Sequence, residues 1–65
     1  MKIFIQIPCF NEELQISKTI SEIRKSLDIK KYDYEIVIID DGSTDQTVKI
    51  AKQNGIKKII SLRRN

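Results

Sequence analysis

In the segment EIVIIDDGSTD, Glu35 to Asp45, an apolar run meets two adjacent aspartates, then a glycine, two hydroxyl residues and a third aspartate. The run Ile36-Val37-Ile38-Ile39 is β-branched throughout, which suits a strand. It is apolar on both faces of the pleat, the pattern of a strand in a parallel sheet covered by helices on both sides. Asp, Gly, Ser and Thr are turn formers, so the strand ends at the acids.

The residues on either side give the rest of the order. Upstream, Ile3, Phe4, Ile5 and Ile7 form a first strand, interrupted only by Gln6 and closed by Pro8. Asn11 is a candidate helix cap, and Glu12 and Glu13 suit the positive end of a helix. Ile16, Ile20, Ile23 and Leu27 then recur on one helical stripe, which predicts a helix from about 12 to about 27. A polar connector, residues 28–33, leads into the second strand. Downstream, Ser43 and Gln46 have capping-box spacing, and a second helix is expected to run to about residue 53. Asn54-Gly55 is its stop signal, and Ile59, Ile60 and Leu62 make a third strand. The order β-α-β-α-β with helical crossovers implies parallel strands, since such crossovers are right-handed in ~98% of cases. The expected fold is α/β: half of a Rossmann-like sheet, three parallel strands in the order 3-2-1 with two helices.

Composition narrows the classes. A chain of 65 residues allows one small domain, marginal unless something supports it. Disulfides are excluded, because Cys9 is the only cysteine, and with no histidine a zinc site of the usual kind is excluded too. A single cysteine suits a reducing compartment. The net charge of +3 comes from scattered lysines and arginines with few aromatics, which is not a nucleic-acid-binding pattern. No stretch approaches the ~18 apolar residues of a membrane span, and the start of the chain does not read as a signal peptide.

In an open parallel sheet, ligands bind beyond the carboxyl ends of the strands. Three polar segments should gather there: Pro8 to Glu12, Asp40 to Asp45, and Arg63 to Asn65. Asp40 and Asp41 follow each other in extended chain, so their side chains leave on opposite sides. One can face a crevice while the other bonds local backbone. A carboxylate at this place can accept ribose hydroxyls or the ring N–H of a base, and Phe10 offers a face for a base to lie against. A structural reading stands beside each of these. Ser43, Thr44, Asp45 and Asn11 are ordinary caps, Glu12 is a favourable first-turn acid, and Cys9 is a small loop or core residue with no histidine to activate it. No glycine-rich loop follows the first strand, so a pyrophosphate is not cradled there as in dinucleotide enzymes.

The pair IPCFNEE (Ile7 to Glu13) and IVIIDDGSTD (Ile36 to Asp45) resembles the inverting family 2 glycosyltransferases of the GT-A fold. It is similar above all to dolichol- or polyprenol-phosphate sugar transferases and their bacterial relatives. The resemblance covers the whole chain. It implies transfer of a sugar from a UDP- or GDP-sugar donor to an acceptor such as a polyprenyl phosphate or a saccharide. It implies that Pro8 and Phe10 line the base pocket, that Glu12 contacts ribose or base, that Asp41 bonds the base ring, and that Asp40 supports the loop. The family usually has tyrosine where this chain has Phe10, which keeps stacking and loses a hydroxyl. The resemblance further implies Mg²⁺ or Mn²⁺ in the whole enzyme, held by a D-x-D motif that these 65 residues do not contain. No catalytic residue and no metal ligand is assigned within them. The expectation is the N-terminal, nucleotide-sugar-binding piece of a larger domain, inactive alone, working in the cytoplasm or at the cytoplasmic face of a membrane, with a lipid-linked acceptor among the candidates. Two other readings stand beside it: a non-catalytic nucleotide-binding or receiver-like α/β module, and a truncated remnant without activity. In receiver domains the acid pair follows the first strand and the phosphoacceptor the third; here the pair follows the second.

Overall fold

The computed structural model describes residues 1–27 and 31–62. Five elements follow in order: β1 (Lys2–Cys9), α1 (Ile16–Ser26), β2 (Asp33–Asp40), α2 (Thr47–Gln53) and β3 (Lys58–Ser61). The sheet has the order β1-β2-β3, with β2 in the centre and both pairings parallel. The fold is therefore the expected α/β half-sheet. The segment 63–65, expected at the rim, lies outside the described residues, as does 28–30 of the connector.

Register fixes which side chains share a face. Cys9 lies opposite Asp40, Ile7 opposite Ile38, and Ile5 opposite Ile36. Ile38 in turn faces Ile59 across the other ladder. The core is built on this face: Cys9, Ile36 and Ile38 of the sheet meet Ile16 and Ile20 of α1, Ala51 of α2 and the following Ile56. Ile16, Ile20, Ile38 and Ala51 are essentially without solvent contact. Burying an isoleucine side chain stabilises a fold by about 1.5–3 kcal/mol.

The covering of the sheet differs from expectation. The apolar run of β2 predicted helices on both faces, yet both described helices pack on the same one. The cause is topological: β1 to β2 to β3 steps in one direction, and two right-handed crossovers in one direction lie on one side. The opposite face carries Phe4 and Ile60, which are about half exposed, at 50% and 51%. Val37 on that face is nevertheless buried. Part of the cover is a charged cluster: Glu35 pairs with Lys2 at 3.0 Å and Lys58 at 3.7 Å. Both ammonium groups also sit over the Phe4 ring, at 5.9 and 4.9 Å from its centre. The hydrogen bond and charge of Lys2 hold the Glu35 carboxyl below its ordinary range against burial, which acts to raise it, and Lys2 is raised in return.

Helix boundaries also shift. α1 starts at Ile16, not near Glu12, and Asn11 is not its cap. The N-cap is Gln15, which makes no side-chain capping bond. Residues 12–15 form a turn in which the Glu12 carbonyl accepts from the N–H groups of both Gln15 and Ile16. α2 starts at Thr47, and Ser43 with Gln46 does not form a capping box; Asp45 accepts the Thr47 N–H at 2.9 Å instead. The end of α2 is as read. Gly55 is left-handed, with φ 81. Its N–H bonds the Lys52 carbonyl, and the Ile56 N–H bonds the Ala51 carbonyl. These two bonds make a Schellman motif, and they tuck Ile56 into the core beside Ala51.

Candidate functional site: two loops clasped at the sheet rim

The rim at the carboxyl end of the sheet begins where β1 and β2 run out together. The Asp41 N–H donates to the Cys9 carbonyl at 2.8 Å, and the Leu62 N–H to the Asp40 carbonyl at 2.7 Å. All three strand ends are thus tied at one level. Beyond it, the loop after β1 and the loop after β2 bond each other repeatedly.

Three successive N–H groups of the first loop are accepted by side chains of the second. Asn11 donates to Ser43 Oγ at 2.9 Å, Glu12 to Thr47 Oγ1 at 2.8 Å, and Glu13 to Asp45 Oδ2 at 3.2 Å. The traffic also runs the other way. Thr44 N–H donates to Asn11 Oδ1 at 2.9 Å, and Gln46 N–H to Glu13 Oε2 at 3.1 Å. Asn11 holds a left-handed backbone, φ 49, which asparagine tolerates better than most residues. Donors of a turn that would otherwise need water or a local cap are satisfied by residues more than thirty positions away.

The two adjacent aspartates divide as extended geometry requires. Asp40 is only 4% exposed, and its Oδ1 accepts the Ser43 N–H at 3.2 Å. The left-handed Gly42, φ 82, turns the chain back to permit this bond. Asp40 is therefore a loop-supporting residue. Asp41 is half-buried at the rim, anchored by its backbone to the end of β1. Phe10 is 52% exposed, and Pro8 and Glu12 are exposed. A cleft of about 230 Å³ beside the β1 end is lined by Ile7, Pro8, Cys9, Glu12, Ile16 and Thr19. It gathers Pro8 and Glu12 but neither Phe10 nor Asp41. Small-molecule sites commonly measure about 300–1,000 Å³, so this cleft is smaller than most of them.

The remaining polar groups at the rim have structural duties. Cys9 is buried, and its thiol is pushed up by burial, then by the nearby Glu12 and Asp40 carboxylates, which disfavours a thiolate. For Asp45, burial acts to raise the carboxyl, but hydrogen bonds from the Thr47 hydroxyl and from the Thr47 and Glu13 N–H groups outweigh it, and the carboxyl lies below its ordinary range. Among the described residues no group of three histidine, cysteine or carboxylate side chains could hold a metal ion. Asp40 is turned onto Ser43, and both Asp45 oxygens accept protein donors.

Thr47 was not singled out from the sequence, and Glu13 only as an acid suited to a helix start, yet both sit in the clasp. Thr47 is fully buried, and its hydroxyl donates to Asp45 Oδ1 while accepting from Glu12. The available signal was a hydroxyl two places after Asp45, at the start of a short helix.

Fold and rim together define a parallel α/β half-sheet whose carboxyl edge is built by the loops after its first two strands. The glycosyl transferase family 2 model matches residues 4–65, and the chain belongs to that family. It is 34% identical to the uncharacterized glycosyltransferase YkcC of Bacillus subtilis, over 94% of this chain and 20% of that protein. It is 46% identical to glucosyl-3-phosphoglycerate synthase of Petrotoga mobilis, over 94% of this chain and 19% of that protein. A bactoprenol glucosyl transferase of Shigella phage SfV is 44% identical, over 77% of this chain and 16% of that protein. The chain thus spans about a fifth or less of the length of these relatives. No solved structure gives a significant match.

Proposed function

We propose that this chain is the nucleotide-binding part of a family 2 glycosyltransferase that takes a UDP- or GDP-sugar as donor. Asp41 accepts the ring N–H of the base, Phe10 and Pro8 supply apolar faces to it, and Glu12 bonds the ribose or base. Asp40 holds the loop that carries Asp41. The observation that carries this reading is the clasp. Five hydrogen bonds between side chain and backbone join the loops after β1 and β2, so Glu12 and Asp41 belong to one rim.

The sugar transferred is a hexose. This rests on the relatives, whose names speak of glucosyl or N-acetylglucosaminyl transfer. The same names differ in the acceptor: bactoprenol in one, poly(ribitol-phosphate) in another. The acceptor is a polyprenyl phosphate or a saccharide, met in the cytoplasm or at the cytoplasmic face of a membrane. Among the described residues no helix is long and apolar enough to cross one. The divalent cation that the family implies would be held by residues other than those described. The 65 residues bind donor and do not transfer sugar alone.

Titration of the chain with UDP and GDP, followed by NMR, tests the reading. Shifts at the Asp41 and Phe10 amides that saturate, and that vanish in Asp41→Ala, are expected. No response at millimolar nucleotide overturns it.

A further inference from the structure

We infer that Thr47 and Asp45 are positioning residues for the donor site: they hold the turn bearing Glu12 against the loop bearing Asp41 without touching the donor themselves. The inference rests on the reading of the rim as a nucleotide site, and it gives a donor-positioning role to two side chains that enter that reading only as members of the clasp.

Thr47 is sealed from solvent, with 0% exposure, so it has no surface to offer a ligand. A buried hydroxyl is retained at a cost unless its bonds are made. Here both are made, and each faces a different loop. Thr47 Oγ1 accepts the Glu12 N–H at 2.8 Å and its proton goes to Asp45 Oδ1. Asp45 then completes the bridge. Its Oδ1 also accepts the Thr47 N–H at 2.9 Å, and its Oδ2 accepts the Glu13 N–H at 3.2 Å. Two adjacent donors of the first loop are therefore fixed by one two-residue unit of the second. The 7-residue helix α2 is too short to be rigid by itself, but it is anchored through Ala51 in the core. The unit thus transmits the position of the core to Glu12. Position matters because a misplacement of about 1 Å in a binding group is enough to weaken its work strongly.

Valine has nearly the shape of threonine and lacks the hydroxyl. Thr47→Val leaves the Glu12 N–H without its acceptor and takes one of two donors from Asp45 Oδ1, while Thr47→Ser keeps the hydroxyl. The full chain, labelled for NMR, is compared in three forms by amide hydrogen exchange without ligand and by affinity for UDP and GDP. Thr47→Val is expected to speed exchange at Glu12 and Glu13 and to weaken nucleotide binding about tenfold. Thr47→Ser is expected to restore both. Asp45→Asn, which turns an acceptor facing Glu13 into a donor, serves if the valine form does not fold. It is expected to speed exchange at Glu13 and to weaken binding.

Unchanged exchange at Glu12 and Glu13 in Thr47→Val, or wild-type behaviour of Asp45→Asn, overturns the bridge itself. Faster exchange with unchanged affinity overturns the positioning role and leaves the nucleotide site standing. A wild-type chain that binds neither nucleotide overturns the site, and the positioning role falls with it, a result visible before any variant is made.

Discussion

Consecutive side chains in an extended chain leave on opposite faces, and the aspartate that ends β2 differs from the one that follows it. Asp40 turns into the protein and accepts from Ser43; Asp41 stays at the rim. Their substitutions should therefore separate. Asp40→Ala strips the partner from a Ser43 N–H and is expected to cost about 1–3 kcal/mol in urea denaturation. Asp41→Ala is expected to cost less stability while removing the response to nucleotide. Equal losses of stability from the two would contradict this division. Asp45 supplies a prediction in pH. Its folded carboxyl lies below the ordinary range, so the ionised form is the stabilising one. That contribution is present above the unfolded value of about 3.9 and is lost as pH falls through the lower folded value. The Glu13 amide, which donates to Asp45, should report a protonation midpoint below about 3.9; a midpoint at or above that value contradicts the bridge. At this scale the sequence was legible only in part. That the two aspartates differ in burial, Asp40 buried and Asp41 half-buried, follows from strand geometry. That Asn11, Ser43 and Thr47 bond across a gap of more than thirty residues does not, because spacing motifs see only local partners. Asn11 and the Ser43–Gln46 pair looked like caps for that reason.

The elements were read more fully, since hydrophobic period is a local property that packing then uses. The run Ile36 to Ile39 is the centre of β2, and the stripe Ile16, Ile20, Ile23 is the face of α1 that meets the core. Ile20 has 0% exposure, so Ile20→Ala is expected to cost about 2–5 kcal/mol by urea denaturation. The end of α2 depends on backbone and not on space. A Cβ added at Gly55 meets nothing nearer than Arg24 Nη2 at 3.7 Å, but the residue sits at φ 81. Gly55→Ala is expected to cost about 1–2 kcal/mol through the left-handed conformation alone. A neutral outcome would mean that the Schellman turn relaxes without loss. The start of α1 was misplaced by four residues because the donors of residues 11–13 find acceptors in the other loop, so the chain need not be helical there to satisfy them.

The whole molecule is a sheet with one helical face and one face left to solvent among the described residues. The expectation of helices on both sides came from an apolar β2, and the apolar residues are there, but the crossovers of this stretch run on one side. Phe4 and Ile60 on the open face, with unpaired strand edges at β1 and β3, predict concentration-dependent association of the 65-residue chain. Sedimentation should show it, and Ile60→Lys should reduce it; a monomer at all concentrations contradicts the prediction. Function at this scale depends on whether the clasped rim grips a nucleoside. The decisive measurement is the set of intermolecular NOEs from a bound UDP or GDP to the labelled chain. Base protons within reach of the Phe10 ring and the Asp41 amide, with ribose protons near Glu12, are the predicted result. NOEs confined to other faces of the sheet, with none at Phe10, Glu12 or Asp41, would contradict it.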